Sequence, residues 1–169
     1  MGSRSKRALH RKNTERIEGL NALKIQIFFF SNKLKSHELA WISEFEKRIK
    51  KYCSFELIQK KDDPKAVNDL LASIQTKKDH HWVMLDEHGK KMSTLDFANW
   101  MVAKKNSSLK QMNFIIGGSF GLTKEQLLKA HTCLSLSSFT FPHRLALLCL
   151  SEQIYRVLSL NAGHPYHHA

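Results

Sequence analysis

Phe114-Ile115-Ile116-Gly117-Gly118-Ser119-Phe120-Gly121 reads as a short apolar strand running straight into a glycine-rich turn. Ligands of open α/β sheets bind beyond the carboxyl ends of such strands. Glycines there permit positive φ and let a ligand come close to the backbone. The spacing is neither GxGxxG nor a Walker-type GxxxxGKS or GxxxxGKT, so a dinucleotide or triphosphate cradle is not indicated. An ordinary strand-to-helix turn explains the stretch equally well when it is taken alone.

Working outward, strand and helix signals alternate. Downstream, Thr123 opens a short helix with Gln126 three residues on, as in a capping box. Residues 132–136 form another strand, and Pro142 opens a long helix to about Leu160. Upstream, residues 23–30, 53–58 and 82–85 read as buried strands. Between them, Ser36 is placed to cap a helix over residues 37–51 that carries Leu39, Ile42, Phe45 and Ile49 on one stripe. Asp63-Pro64 starts a second helix, with Val67, Leu70, Leu71 and Ile74 as its apolar face. Ser93 or Thr94 starts a third, through Phe97, Trp100 and Met101. Alternation of this kind predicts an α/β domain with a largely parallel sheet flanked by helices. The last helix carries Leu145, Leu147, Leu148, Leu150, Ile154, Tyr155, Val157 and Leu158 on more than one face. Such a helix must be covered on most sides, and a second copy of the chain is an economical cover.

The 169 residues suit one domain, placed at residues 22–169, with 42% hydrophobic and 25% charged residues. No apolar run approaches the length of a membrane span, and residues 1–19 have a basic start without the apolar run of a secretory signal. A cytoplasmic protein with no membrane partner is the expectation. Cys53, Cys133 and Cys149 are widely spaced and show no zinc-type pairing, so no metal is expected and reduced thiols are. Lys and Arg number 27 against 15 Asp and Glu, a net charge of +12 that attracts polyanions without telling RNA from DNA or from an anionic membrane. Arg4, Lys6, Arg7, Arg11, Lys12 and Arg16 make residues 1–21 a basic, flexible extension. It suits a nucleic-acid arm, a targeting remnant, or residues foreign to the natural chain.

Three further stretches carry chemistry. Residues 83–90 end a strand in Asp86-Glu87-His88-Gly89, where Asp86 could meet a ligand hydroxyl or simply end the strand. Leu134-Ser135-Leu136-Ser137-Ser138-Phe139-Thr140-Phe141-Pro142-His143 alternates small hydroxyl and apolar residues before the long helix. Backbone groups in such a loop suit an adenine edge, with Phe139 and Phe141 packed nearby; His143 serves equally well as a first-turn residue touching backbone. The tail holds His164, Pro165, Tyr166, His167 and His168. A chain end so aromatic and titratable points to a docked tail, since ends are usually disposable.

Together, IIGGSFGL, LSLSSFTFPH, EQIYR and HPYH, in this order, resemble the RlmH family, SPOUT-class methyltransferases of large-subunit ribosomal RNA. The resemblance runs from about Leu23 to the C-terminus. It implies the SPOUT fold with a trefoil knot near the C-terminus, a homodimer with its active site at the subunit interface, and S-adenosyl-L-methionine as cofactor. The implied cofactor pocket is Leu85, Gly117 or Gly118, and Leu136, Ser137, Ser138, Phe139, Thr140 and Phe141. The implied substrate is N3 of a pseudouridine in helix 69 of 23S rRNA in the assembled ribosome. Tyr166 and His167 are the candidates for handling the N3 proton, and His143 and Arg156 for holding RNA or the tail. The chain departs from the family in its basic extension, in Phe30-Ser31-Asn32-Lys33 where a glycine turn is expected, and in Asp69-Leu70-Leu71 where Glu-Gly is common. Two alternatives stand beside this reading: a SPOUT enzyme on another RNA, and a non-catalytic RNA-binding ribosome assembly factor.

Overall fold

The computed structural model describes residues 23–74 and 78–162. The basic extension expected at residues 1–21 lies outside them. Strands and helices alternate as β1 (Lys24–Phe30), α1 (Ser36–Ile49), β2 (Ser54–Lys60), α2 (Pro64–Ala72), β3 (His80–Lys91), α3 (Thr94–Asn106), β4 (Gln111–Ile116), α4 (Lys124–Leu127), β5 (Thr132–Ser135) and α5 (His143–Asn161). The strands form a five-stranded sheet in the order β2-β1-β4-β3-β5, with every pairing parallel.

Parallel strands carry near-continuous apolar runs because helices cover both faces. β1, Lys-Ile-Gln-Ile-Phe-Phe-Phe, is such a run. Its Ile25, Ile27 and Phe29 join the core under α1, α3 and α5, while Phe28 and Phe30 face the smaller core under α2 and α4. Both cores close around β4, where Phe114 and Ile116 point one way and Ile115 the other. Each large side chain so buried contributes about 1.5–3 kcal/mol.

The element ends are set locally. Asp63 Oδ1 accepts the Lys65 N–H at 2.8 Å with Pro64 in the first turn of α2. The Ser93 hydroxyl accepts from the Asp96 N–H at 3.1 Å, and the Thr123–Gln126 capping box is formed in both directions. At α1 the expected cap is corrected: Ser36 is the first helical residue and Lys35 occupies the cap position. There the Glu38 carboxylate accepts the Lys35 N–H at 2.6 Å, so a first-turn acid replaces the hydroxyl. The same carboxylate holds Arg144 at 3.1 Å, tying the start of α5 to the start of α1.

Two further expectations are revised. β3 does not stop at Leu85; it runs to Lys91. Leu85 and Lys90 both stand opposite Leu134 of β5, so residues 86–89 bulge out and the ladder then resumes. Asp86-Glu87-His88-Gly89 is thus a bulge within β3 and not the strand-ending turn its residue types suggest. Gly89 makes this possible, since a Cβ there would sit 2.8 Å from the Cys133 and Leu134 carbonyl carbons. On α1, Ile42 and Ile49 are buried as expected, whereas Leu39 of the same stripe is 45% exposed in the single chain.

Candidate active site

β3, β4 and β5 deliver three segments to one end of the sheet, the carboxyl end of parallel strands. They are the 86–89 bulge, the Gly117–Gly121 turn and the loop from Leu136 to Pro142. Between them lies a cleft of about 670 Å³. Of the expected cofactor residues, Leu85, Gly117, Gly118, Leu136, Ser137, Phe139, Thr140 and Phe141 line it, and so does His143. Ile116, Leu134 and Leu136 give it apolar wall, while Asp86, Glu87 and His88 give it polar rim. Ser138 of the same loop is not in the wall; its hydroxyl receives a hydrogen bond from Lys91 Nζ at 2.8 Å, which fastens the loop to the end of β3. The Thr140 hydroxyl donates to the Glu87 carboxylate, a second tie between the same two segments. Within the loop, the Ser135 hydroxyl donates to the Ser137 carbonyl, and the Phe139 N–H to the Ser137 hydroxyl.

The glycine turn is shaped from inside. Gly121 has φ +69°, a conformation that favours glycine, and its N–H donates to the Gly118 carbonyl at 3.0 Å. A Cβ on Gly117 would come 2.7 Å from the Gly121 carbonyl carbon, and one on Gly118 would come 1.7 Å from Asp62 Oδ1. Gly117 is thus required by the turn closing on its own backbone, while Gly118 leaves the room that the Asp62 carboxylate occupies. Asp62 Oδ2 accepts from the Ser119 N–H at 3.0 Å and from its hydroxyl at 2.7 Å. Partial burial would raise the Asp62 pKa, but these two donors and nearby His143 outweigh it and hold the carboxyl below its usual range. Asn32 Oδ1 in turn accepts the Asp62 N–H at 3.3 Å.

His143 packs its ring against Phe29, with centroids 5.5 Å apart. Desolvation and neighbouring Arg144 lower its pKa against the opposing pull of Asp62 and Glu38. Arg156 is not brought to the cleft. It pairs with Glu152 one turn back on α5, Nη2 to Oε1 at 2.6 Å. Thirteen residues of helix from His143 place it about 20 Å away along the axis. Tyr166 and His167 lie outside the described residues.

Asp62 carried no role in the sequence reading. The only local signal was the doubled Asp62-Asp63 before Pro64, where one carboxylate suffices for the cap. Among the described residues there is no cluster of three His, Cys, Asp or Glu suited to a metal ion, and no helix long and apolar enough to cross a membrane.

A family model described as "Predicted SPOUT methyltransferase" matches residues 23–167. Ribosomal RNA large subunit methyltransferase H of Bacteroides fragilis is 31% identical over 157 residues, covering 86% of this chain and 99% of that protein. The protein of the same name from Prochlorococcus marinus is 35% identical over 148 residues, covering 88% and 98%. Among solved structures, a probable methylase family protein from Haemophilus influenzae Rd KW20 superposes with a TM-score of 0.51 at 15% identity, over 89% of this chain and 72% of that one.

Proposed function

The chain belongs to the RlmH family of SPOUT methyltransferases, and on that premise we propose that it transfers a methyl group from S-adenosyl-L-methionine to N3 of a pseudouridine in helix 69 of 23S rRNA in the assembled ribosome. The observation that carries the reading is the cleft at the carboxyl ends of β3, β4 and β5, where the Leu85–His88 segment, the glycine turn and the 136–143 loop, two of the family's motifs among them, meet around one cavity.

The residues present fit the cofactor. The wall of Leu85, Ile116, Leu134 and Leu136 suits a flat apolar purine, and the backbone of the 136–141 loop suits its polar edge. Asp86 and Glu87 at the rim suit hydroxyl groups and positive charge. Leu85, Gly117, Gly118, Leu136, Ser137, Phe139, Thr140 and Phe141 would hold it, with Ser138 fastening their loop through Lys91. When bound, it supplies a methyl group already activated by its sulfonium. The work left to the protein is to align the acceptor nitrogen with that methyl, to exclude water and to receive one proton. In this reading Tyr166 or His167 receives or orients the N3 proton. His143 at the cleft and Arg156, held against Glu152, contact RNA or the tail. The basic extension at residues 1–21 adds contacts to RNA phosphates.

The enzyme is a homodimer in this reading. Trp41 is 63% exposed, Leu39 45% and Leu145 41%. With Phe45, Leu148 and Cys149 of the same two helices, Trp41 also borders a second, mainly apolar cleft of about 620 Å³. A second copy of the same face covers such a strip with its own.

Calorimetric titration with S-adenosyl-L-methionine tests the enzyme reading, and absence of binding to the dimer would sink it in favour of a non-catalytic RNA-binding factor. Methyl incorporation into assembled ribosomes and into free rRNA tests the substrate; equal labelling of both would count against the assembled ribosome as target. Tyr166→Phe and His167→Ala are expected to lower turnover more than cofactor affinity. A variant that mainly loses cofactor affinity would remove the tail from the proton's path.

A further inference from the structure

We infer that the ring of Phe120 is a stacking platform for a nucleobase of the RNA substrate; the inference rests on the methyltransferase reading above and deepens it. Phe120 is 99% exposed, so its ring contributes nothing to the hydrophobic core. It is not on a loose segment. It occupies the third position of the Gly118–Gly121 turn, which is closed by the Gly121 N–H to Gly118 carbonyl bond. The residue before it is clamped by Asp62 through both backbone N–H and hydroxyl. The ring is therefore carried on an anchored backbone with two side-chain torsions to fix, so stacking on it costs little ordering.

Its place says what it meets. Phe120 stands at the rim of the candidate cofactor cleft, and Phe139, 80% exposed, belongs to the wall of the same cleft. A base that is to react there must leave its helical stack, and aromatic side chains are the sequence-tolerant way to hold unstacked bases. The chain's net charge of +12 favours a polyanionic ligand over an acidic or neutral protein surface. The apolar strip assigned to the second subunit lies on α1 and α5; the cleft beside it shares Leu134, Leu136 and Phe141 with the cofactor cleft, but Phe120 does not border it.

The test uses the full chain with Phe120→Ala, Phe120→Leu and Phe120→Trp. A fully exposed side chain leaves folding intact when truncated. Ribosome binding and the KM for ribosomes are expected to weaken about tenfold in the Ala and Leu variants and to stay near wild type in the Trp variant, as base stacking on an aromatic face requires. Calorimetry should find cofactor affinity retained, and sedimentation velocity the same oligomer. Unchanged KM in Phe120→Ala overturns the inference alone, as does full activity of Phe120→Leu, which would make the contact merely apolar. Dissociation of the dimer in Phe120→Ala would make it a subunit contact instead. A wild-type protein that neither binds nor methylates ribosomes overturns the inference together with the rRNA reading.

Discussion

At the scale of single residues, the turn beside the cleft depends on a partner 57 positions away in the chain. Asp62, just after β2, reaches over the end of β1 to Ser119, just after β4. That is possible because the sheet order sets β1 between those two strands. Asp62→Ala removes the acceptor for both Ser119 donors and frees the space that Gly118 now yields to the carboxylate. Its expected effect is a cofactor affinity lowered about tenfold, the equivalent of about 1.4 kcal/mol and typical of a lost charge-assisted pair of hydrogen bonds. Thermal stability should change little, because the contact lies at an exposed rim; titration calorimetry beside a melting curve separates the two. The sequence made Gly117, Gly118 and the 136–141 loop visible because their residue types are unusual for their local structure. Asp62 was invisible because an aspartate before a helix is ordinary, and only strand order gives it a partner.

At the scale of elements, boundaries decided by neighbours in sequence were legible. The Asp63-Pro64 start of α2 and the boxes at Ser93 and Thr123 follow from side chains two or three residues from the groups they satisfy. Those decided across the fold were not. β3 continues past Leu85 only because β5 offers Leu134 twice as a partner. At α1 the cap is Lys35, whose N–H is taken by Glu38, an acid that also binds Arg144. At the other end of β3, buried His81 shares a 2.9 Å hydrogen bond between Nε2 and Thr132 Oγ1, stacks on His131 and meets the edge of Trp100. Desolvation, with help from Lys104 and His131, lowers its pKa to about 4. An unfolded histidine titrates near 6.5, so between about pH 6.5 and 4 the unfolded chain binds a proton that the folded chain refuses. Stability is then complete above about pH 6.5 and is lost as pH falls toward 4, by up to about 3 kcal/mol. His81→Gln should flatten that part of the profile in urea titrations at several pH values. An unchanged slope would place the acid sensitivity elsewhere.

At the scale of the whole molecule, alternation of apolar strands and amphipathic helices made the α/β class and the parallel sheet legible. Strand order was not, since each of these strands suits any position covered on both faces. The over-apolar last helix was half explained within the chain: Leu147, Leu150, Ile154, Val157 and Leu158 are buried there, while Leu145 at its start remains 41% exposed. If the proposed homodimer forms through this strip, Trp41→Glu with Leu145→Glu gives a monomer in sedimentation velocity and abolishes methylation; a double variant that stays dimeric would move the proposed interface off the strip. The Asp62–Ser119 tether also has a bearing on the order of assembly. It joins the exits of β2 and β4, which flank β1. The rim of the cleft therefore closes only after those three strands have found their register, when about seven-tenths of the chain, through Ser119, is in place. During synthesis a chain halted just before that point has four strands and three helices but no closed rim to the cleft, so competence arrives as one of the last events of folding.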